Sequence, residues 1–170
     1  MRAFIFTGLT AFALLGCSAA DSVDPNGPTV TQADFESVVG EAWTGELTYL
    51  DYSSEKRVTI PAAATIKLAG SNGIKYTISY PEEPWEDTKS TLKTTQSGRV
   101  FDGHPVIARD TAPNGWLTIQ TLHQGEDNKK PADIRMSYRV GENDFVIEKE
   151  VSYGADGYFI TRKSYHFTRP

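Results

Sequence analysis

Cysteine and histidine are scarce in this chain. One cysteine, Cys17, stands among 170 residues, so no disulfide can form within the chain. The three histidines, His104, His123 and His166, show no His-x-His or His-x-x-x-His spacing, and a zinc site would need the fold to bring all three together. We therefore expect them at the surface or at the edge of the core, and we predict no metal and no other cofactor.

The motifs of common enzyme classes and an excess of basic residues are also missing. The sequence has no Gly-x-Ser-x-Gly elbow and no glycine-rich phosphate loop, which leaves no catalytic residue to name. Lys and Arg number 17 against 22 Asp and Glu, for a net charge of −5. Nucleic acids and anionic membrane surfaces bind basic patches, so neither is expected as the main partner. An enzyme is the weakest of the functional hypotheses.

The long hydrophobic run of the sequence lies at its N-terminus. Residues 3–15 form an apolar run behind Arg2, which is too short to cross a bilayer of about 30 Å but suits the core of a signal peptide. The run ends at Leu14, Leu15, Gly16 and Cys17. We interpret residues 1–16 as a signal peptide. An ordinary secretory cleavage near Ala19 or Ala20 is the alternative.

The Leu-Leu-Gly-Cys sequence resembles the lipobox of bacterial lipoproteins. The resemblance implies that Cys17 is acylated and becomes the first residue of the mature protein, with a triacyl anchor, since one acyl chain alone binds a membrane only marginally. Ser18 stands where inner-membrane lipoproteins of enterobacteria carry aspartate, which favours the outer membrane with the domain facing the periplasm. Residues 17–29 are polar and contain two prolines, so we predict a flexible, lipidated tether.

A short helix is predicted after the tether. Thr31 suits the N-cap position with Asp34 three residues later, and Val30 and Phe35 stand at the two positions of a hydrophobic staple. Gly40 is expected to end the helix. A helix of about two turns is not stable alone in water, so it must pack against the rest of the domain.

From residue 43 onward, apolar and polar residues alternate with period 2, the pattern of strands that bury one face. The clearest run places four residues inward: Ile74, Tyr76, Ile78 and Tyr80. Dipeptides that suit tight hairpins fall between such runs: Asn72-Gly73, Asp102-Gly103, Asn114-Gly115 and Asp156-Gly157. The predicted fold class is all-β, an antiparallel up-and-down meander of about 8–10 strands over residues 30–170, closed into a barrel because closure removes exposed edges. The polar residues 123–133 are predicted as a long loop.

This pattern resembles the calycins, the group of lipocalins and fatty-acid-binding proteins. Lipocalins carry Gly-x-Trp on the first strand and a late arginine over that tryptophan; here Gly40 and Trp43 are one residue further apart, and Arg169 is the late arginine. Fatty-acid-binding proteins hold a carboxylate with Arg-x-Tyr on the last strand. Arg162 and Tyr165 are spaced so that they face opposite sides, so we do not transfer that site. Residues 45–52 also resemble uncharacterised bacterial lipoproteins.

Large aromatic residues on the predicted inward face are the candidate ligand-binding residues. They are Tyr49, Tyr76, Tyr80, Trp116, Tyr138 and Tyr153. A barrel of this size holds either a filled core or one small ligand, so these rings either line a cavity for a hydrophobic or amphipathic molecule or fill the interior. Asp51 shares the face of Trp43, and if buried it needs Arg162 or Arg169 as a partner.

Trp85 follows Pro84 in an acidic segment that lacks the ligand spacing of a calcium loop. Its ring either packs over the barrel or is offered to a partner, because aromatic residues are enriched in interfaces. Two hypotheses follow. The first is an envelope-anchored barrel that binds a small hydrophobic or amphipathic ligand. The second is a packed barrel that acts through its loops as an interaction, assembly or inhibitor module toward an envelope protein.

Overall fold

A computed structural model describes residues 22–154 and 157–169. The predicted signal peptide, residues 1–16, and the predicted lipid attachment at Cys17 lie outside the described residues. The first part of the predicted tether also lies outside them. Residues 24–27 form a turn in which the Gly27 amide donates to the Asp24 carbonyl oxygen at 3.0 Å.

Ten antiparallel strands follow a short 3-10 helix, Gln32–Val38. The strands are β1 Gly40–Leu50, β2 Arg57–Ala69, β3 Gly73–Ser79, β4 Thr88–Thr95, β5 Val100–Phe101, β6 His104–Thr111, β7 Leu117–Asp127, β8 Lys130–Val140, β9 Asp144–Ser152 and β10 Ile160–Thr168. Single 3-10 turns occur at Pro84–Glu86 and Gln96–Gly98. Each strand pairs with the next along the chain, and β10 pairs with β1. The predicted all-β meander that closes into a barrel is confirmed.

The N-terminal helix begins as the sequence predicts but is of the 3-10 type. The Thr31 amide donates to Oδ2 of Asp34 at 2.8 Å, and Val30 and Phe35 are both buried. The helix ends at Val38, and Gly40 begins β1 instead of ending the helix.

This helix closes one end of the barrel. It contacts β2, β3 and β8, which lie on different sides of the wall, and Phe35 stacks on Phe101 with ring centroids 5.1 Å apart. Phe101 meets Tyr138 edge-on at 5.0 Å. Trp43 is fully buried and donates its indole N–H to the Val38 carbonyl oxygen at 2.9 Å. We call this part of the barrel, around Phe35 and Trp43, the closed end.

Arg169 covers the closed end from outside the core. The centre of its guanidinium lies 4.6 Å from the centroid of the Trp43 ring. The same group donates hydrogen bonds to the carbonyl oxygens of Val39 at 3.2 Å and Glu142 at 3.1 Å, and to that of Ser37. The late arginine therefore lies over the first-strand tryptophan, as in the lipocalin pattern, although the Gly-x-Trp spacing is one residue longer.

Two details of the strand predictions are wrong. Residues 123–133 are not a long loop: β7 and β8 continue to Asp127 and Lys130, and only Asn128 and Lys129 form the turn. Both turn residues have positive φ, 48° and 61°, which gives a tight two-residue hairpin without glycine.

β2 also departs from the expected pattern near its end. The strand runs through Pro61 without a break, and Ala62, Ala64 and Ile66 are buried. Leu68, which continues the same alternation, is 46% exposed. The inward alternation of β2 therefore stops at Ile66.

Candidate functional site

A cavity of about 530 Å³ lies at the end of the barrel opposite the helix. We call this the open end; the connections at residues 51–56, 80–87 and 128–129 lie there. Apolar and aromatic side chains from β1, β2, β10 and the end of β3 form much of the cavity wall: Leu47, Tyr49, Ile60, Tyr80 and Tyr165. The volume lies within the range of roughly 300–1,000 Å³ that small-molecule sites occupy.

Two tyrosines form the floor of the cavity. The hydroxyl oxygens of Tyr80 and Tyr165 lie 2.8 Å apart and share a hydrogen bond, and both residues belong to the core as well as to the cavity wall. Burial, and then the hydrogen bond with Tyr80, raise the pKa of Tyr165 well above its ordinary value, so this phenol is neutral at physiological pH. The main core is therefore packed below this pair, and the cavity lies above it.

Of four predicted ligand-binding tyrosines, two line the cavity and two lie in or against the core. Tyr49 and Tyr80 line the cavity. Tyr138 is buried in the core, and Tyr76 is half-buried and packs against the same core. Burial raises the pKa of both Tyr76 and Tyr138. All four side chains are on the inner side of the wall, but only the first two can touch a molecule in the cavity.

The remaining aromatic candidates lie elsewhere. Trp116 precedes β7 at the closed end, where its indole lies beside Gly141, so it does not line the cavity. Tyr153 lies at the open end beside a separate cavity of about 300 Å³. Trp85 is 76% exposed on the Pro84–Glu86 turn, and therefore its ring does not pack over the barrel.

A bulge in β10 changes the direction of Arg162. Thr161 pairs with Glu150 and Lys163 pairs with Lys149, which leaves Arg162 as an extra residue. A bulge re-aims the side chain at its position, and both Arg162 and Tyr165 line the cavity. The expectation that these two residues face opposite sides is wrong, because strand parity is interrupted between them.

A buried carboxylate anchors the charged side of the open end. The side chain of Asp127 is 1% exposed and accepts hydrogen bonds from the Tyr52 hydroxyl at 2.7 Å, the Tyr153 hydroxyl at 2.5 Å and Lys149 Nζ at 2.7 Å. Nε of Arg162 lies 3.2 Å from Oδ2 of the same carboxylate. Burial raises the pKa of Asp127, but the three hydrogen bonds outweigh burial and hold the pKa below its usual range.

Arg162 is less completely paired than Asp127. The residue is 8% exposed, and its guanidinium lies 3.8 Å from the centroid of the Tyr52 ring. Its Nε is close to Asp127 but is not aligned for a hydrogen bond, and its Nη2 has no hydrogen-bond partner among residues 22–154 and 157–169. Buried donors without partners are uncommon in folded proteins.

Lys149 and Lys163 also line the cavity, beside Arg162. Although Lys163 is exposed at the mouth, loss of hydration around its ammonium, and then repulsion by Lys149, lower its pKa. Three cationic side chains are thus gathered on the wall that β9 and β10 form.

Asp51 is not the buried partner of an arginine. Its carboxylate accepts hydrogen bonds from the Ser53 hydroxyl at 2.8 Å and the Ser54 hydroxyl at 2.6 Å at the cavity rim. These bonds, with the Ser53 amide, lower the pKa of Asp51 to about 2. The expected partners are engaged elsewhere, Arg162 near Asp127 and Arg169 over Trp43 at the closed end.

The three histidines do not meet at one place. His104 and His123 stack with ring centroids 3.5 Å apart, whereas Nε2 of His166 lies 3.2 Å from Oδ1 of Asp144 on other strands. Within the described part of the chain, no three His, Cys, Asp or Glu side chains are placed to hold a metal ion.

Sequence reasoning missed the charged residues of the site because they lie near strand ends. Asp127 was assigned to a polar loop, yet period-2 alternation along β7 from Ile119 through Thr121 places it on the inward face. Alternation from Ile147 similarly places Lys149 inward. That parity signal was present in the sequence. The inward turn of Arg162 had no such signal, because it depends on the bulge.

Comparisons with known proteins assign no function to this chain. No protein-family model matches the chain, and no curated protein matches it. Among the described residues, no helix combines the length and the apolar composition that a membrane crossing requires. The closed antiparallel barrel is compatible with a calycin-like fold.

Proposed function

We propose that this protein binds a small hydrophobic or amphipathic molecule in the cavity at its open end. The observation that carries the proposal is the cavity of about 530 Å³ above the Tyr80–Tyr165 pair. Its wall combines apolar side chains with a few polar groups, the composition of small-molecule sites in proteins. The cavity opens directly to solvent, so a ligand can enter without unfolding the closed end.

The proposal includes anchoring to the bacterial envelope. The lipobox-like residues before Cys17 favour an acylated N-terminus, and the serine at position 18 favours the outer membrane with the barrel in the periplasm. We expect Cys17→Ala to move the protein from the membrane fraction to another fraction of its host. A wild-type protein that is never found with membranes would contradict the anchoring.

Native mass spectrometry of the protein purified from its own host tests the binding function. We expect one small molecule to co-purify with the wild-type protein. Ile60→Trp places a larger side chain in the cavity and should abolish this added mass, because Ile60 lines the wall. Leu68→Trp, on the same strand but exposed at the other end of the barrel, is the matched control and should retain it.

Three results would count against binding in this cavity. They are a wild-type protein without added mass in every preparation, equal retention of the molecule by Ile60→Trp, and loss of the molecule from Leu68→Trp while that variant remains folded. Circular dichroism of each variant establishes that the barrel is intact.

The exposed Trp85 favours a second candidate function, a module that contacts another envelope protein through the loops of the open end. The ring is 76% exposed on an acidic connection, and Tyr158 at the same end is 71% exposed. A photo-reactive amino acid at position 85 should then crosslink to one envelope protein in living cells. The same photo-reactive amino acid at position 68 is the control. Equal crosslinking at both positions would contradict this second function.

A further inference from the structure

Charged residues are unevenly distributed around the barrel wall. Strands β2, β3 and β4 contain five basic residues and no Asp or Glu, although acidic residues outnumber basic ones by 22 to 17 in the whole chain. The five basic residues are Arg57, Lys67, Lys75, Lys89 and Lys93. The net charge of −5 therefore averages over one basic side of the barrel and an acidic remainder.

The four lysines lie together on the outer side of the wall. Lys67 pairs directly with Lys75 across β2 and β3, and Lys75 pairs with Thr91, which lies between Lys89 and Lys93 on β4. All four lysines are exposed. The residues next to them along the strands face the core and are buried: Ile66, Ile74 and Leu92. We call the four lysines the lysine face.

The lysine face has little counter-charge of its own. Nζ of Lys67 lies 3.3 Å from Oε1 of Glu41, and the other three lysines form no ion pair within residues 22–154 and 157–169. The acid that precedes β4, Asp87, accepts a hydrogen bond from the Tyr80 amide at 2.9 Å. Like charges directly opposite in a sheet are destabilising, and a closed barrel has no sheet edge for lysines to protect. This arrangement favours an anionic partner outside the chain.

The residues between the lysines indicate which anionic partner fits. They are threonines on the same outer side of the wall: Thr65, Thr77 and Thr91. Protein interfaces depend on an apolar or aromatic centre, which these threonines do not provide. A lysine ammonium is a point charge on a flexible stem, and several such charges attract a surface of lipid phosphates without a fixed geometry. The lysine face therefore suits the head groups of anionic lipids.

The N-terminal segment joins the barrel beside the lysine face. The amide of Val30 donates to the carbonyl oxygen of Gly98 at 2.9 Å, and Gly98 belongs to the 3-10 turn that follows β4. The predicted lipid attachment site, Cys17, precedes Val30 on this segment. An anchored barrel can therefore place the side formed by β2, β3 and β4 on the membrane.

We propose that the lysine face lies against anionic lipid head groups and sets the orientation of the barrel on the membrane. Acidic residues on other sides of the barrel then point away from the lipid, and salt screens their repulsion beyond about 10 Å at 0.1 M. The inference rests on the proposed anchoring to the envelope. It does not depend on a ligand in the cavity.

Amine labelling followed by mass spectrometry tests this orientation. Wild-type protein purified from its own host is added to vesicles of phosphatidylglycerol or of phosphatidylcholine. We expect Lys67, Lys75 and Lys93 to react about tenfold or more slowly on phosphatidylglycerol than on phosphatidylcholine. Lys129 and Lys130, exposed where β7 turns into β8, should react equally on both. Salt at about 1 M, where the Debye length is about 3 Å, should abolish the protection.

Two variants of equal net charge separate the lysine face from the total charge of the protein. The first carries three substitutions on the lysine face: Lys67→Gln, Lys75→Gln and Lys93→Gln. The second carries three on β8 and the turn before it: Lys129→Gln, Lys130→Gln and Arg139→Gln. β8 lies five strands from β3 around the closed barrel, so the second variant is the matched control on the opposite wall.

Lys89 is the reporter in both variants, because neither replaces it. Its protection on phosphatidylglycerol should be lost in the first variant and retained in the second. Equal loss of protection in the two variants would overturn the inference, since the total charge would then account for it. Circular dichroism establishes that both variants are folded.

The remaining outcomes separate this inference from the proposed anchor. Protein that binds both kinds of vesicle, with equal labelling of the lysine face on each, overturns the inference and leaves the anchor standing. Binding to phosphatidylglycerol alone, with the lysine face protected, supports the inference and contradicts the anchor. Binding to neither overturns both. Protection without vesicles that increases with protein concentration assigns the lysine face to a second copy of the chain and overturns the lipid contact.

Discussion

Buried polar groups are more completely hydrogen-bonded at the closed end of the barrel than at the open end. At the closed end, Trp43 donates its N–H to the Val38 carbonyl oxygen, and Arg169 donates to three carbonyl oxygens while covering the same ring. At the open end, Arg162 is buried against Tyr52, but its Nη2 has no partner in the described chain. Arg169 donates three hydrogen bonds within the fold, whereas Arg162 has buried donors without an acceptor in the described chain.

This difference separates stability from function. The closed end is a continuous core of aromatic and aliphatic side chains, and its loss should unfold the domain. The open end contains a cavity and an incompletely paired cationic wall, both of which cost stability and both of which suit a ligand. Substitutions of matched residues at the two ends should therefore differ in how much they lower the free energy of unfolding.

The two tryptophans should show the largest contrast. Trp43→Ala removes a fully buried ring and should lower the free energy of unfolding by about 3–5 kcal/mol. Trp85→Ala removes a ring that is 76% exposed, and the change should stay within about 0.5 kcal/mol. Urea unfolding followed by circular dichroism measures both. Similar losses in the two variants would contradict the assignment of stability to the closed end.

Asp127→Asn should be the most damaging substitution at the open end. It removes the carboxylate between Lys149 and Arg162 and should lower the free energy of unfolding by about 3 kcal/mol at neutral pH. Asn can still accept a hydrogen bond but carries no charge. Urea unfolding at pH 7 provides the measurement. An unchanged midpoint would show that these cations do not depend on Asp127.

Asp127 should also make the stability of the fold depend on pH. The folded-state pKa of Asp127 lies below its unfolded value of about 3.9, so the folded protein binds fewer protons. Its contribution to stability is complete above that unfolded value and is lost as the pH falls through the folded pKa. Wild-type protein should therefore lose more stability than Asp127→Asn between pH 5 and roughly pH 2. Parallel curves for the two proteins would contradict this assignment.

The two arginines give the next contrast. Arg169→Met removes three hydrogen bonds and the contact with Trp43 and should cost about 2 kcal/mol. Arg162→Met removes a charge whose donors are incompletely paired, and Asp127 keeps Lys149 and two tyrosine hydroxyls as donors, so stability should change by less than about 1 kcal/mol. Thermal and urea unfolding compare the variants. A larger loss for Arg162→Met would make that residue a structural partner of Asp127.

Tyr153→Phe should have a small effect on stability. It deletes one hydrogen bond to Asp127 and should cost about 1 kcal/mol. Because that bond lowers the pKa of Asp127, its loss should also move the acid unfolding midpoint toward higher pH. Tyr49→Phe, in the cavity but away from this carboxylate, is the control. An equal shift of the acid midpoint in both variants would show that the shift does not come from the lost hydrogen bond to Asp127.

The sequence predicted the barrel well because its signals are local. Period-2 alternation and residues such as Asp102 and Gly103, which do adopt positive φ at a turn, specify antiparallel strands one hairpin at a time. The Trp43–Arg169 contact followed from a resemblance in architecture. Closure of β10 onto β1 was inferred from the need to remove sheet edges, and it occurs.

The site was harder to predict because it depends on long-range geometry. Period-2 alternation shows that Tyr49 and Tyr138 both face inward. It does not show how far each lies from the helix that fills one end. The cavity lies above Tyr80 and Tyr165, whose contact joins residues 85 positions apart. The bulge at Arg162 reverses the parity that the sequence implies, so the cationic wall emerges only in three dimensions.

The central claim is that the open end binds ligand while the closed end holds the fold. Dodecanoate titrated into isotope-labelled protein, followed by backbone ¹H–¹⁵N NMR, tests it most directly. We predict saturable shifts at Tyr49, Lys149 and Lys163, with the amides of Phe35 and Phe101 unmoved. Shifts concentrated around Phe35 and Phe101, or none at saturating probe, would contradict the account.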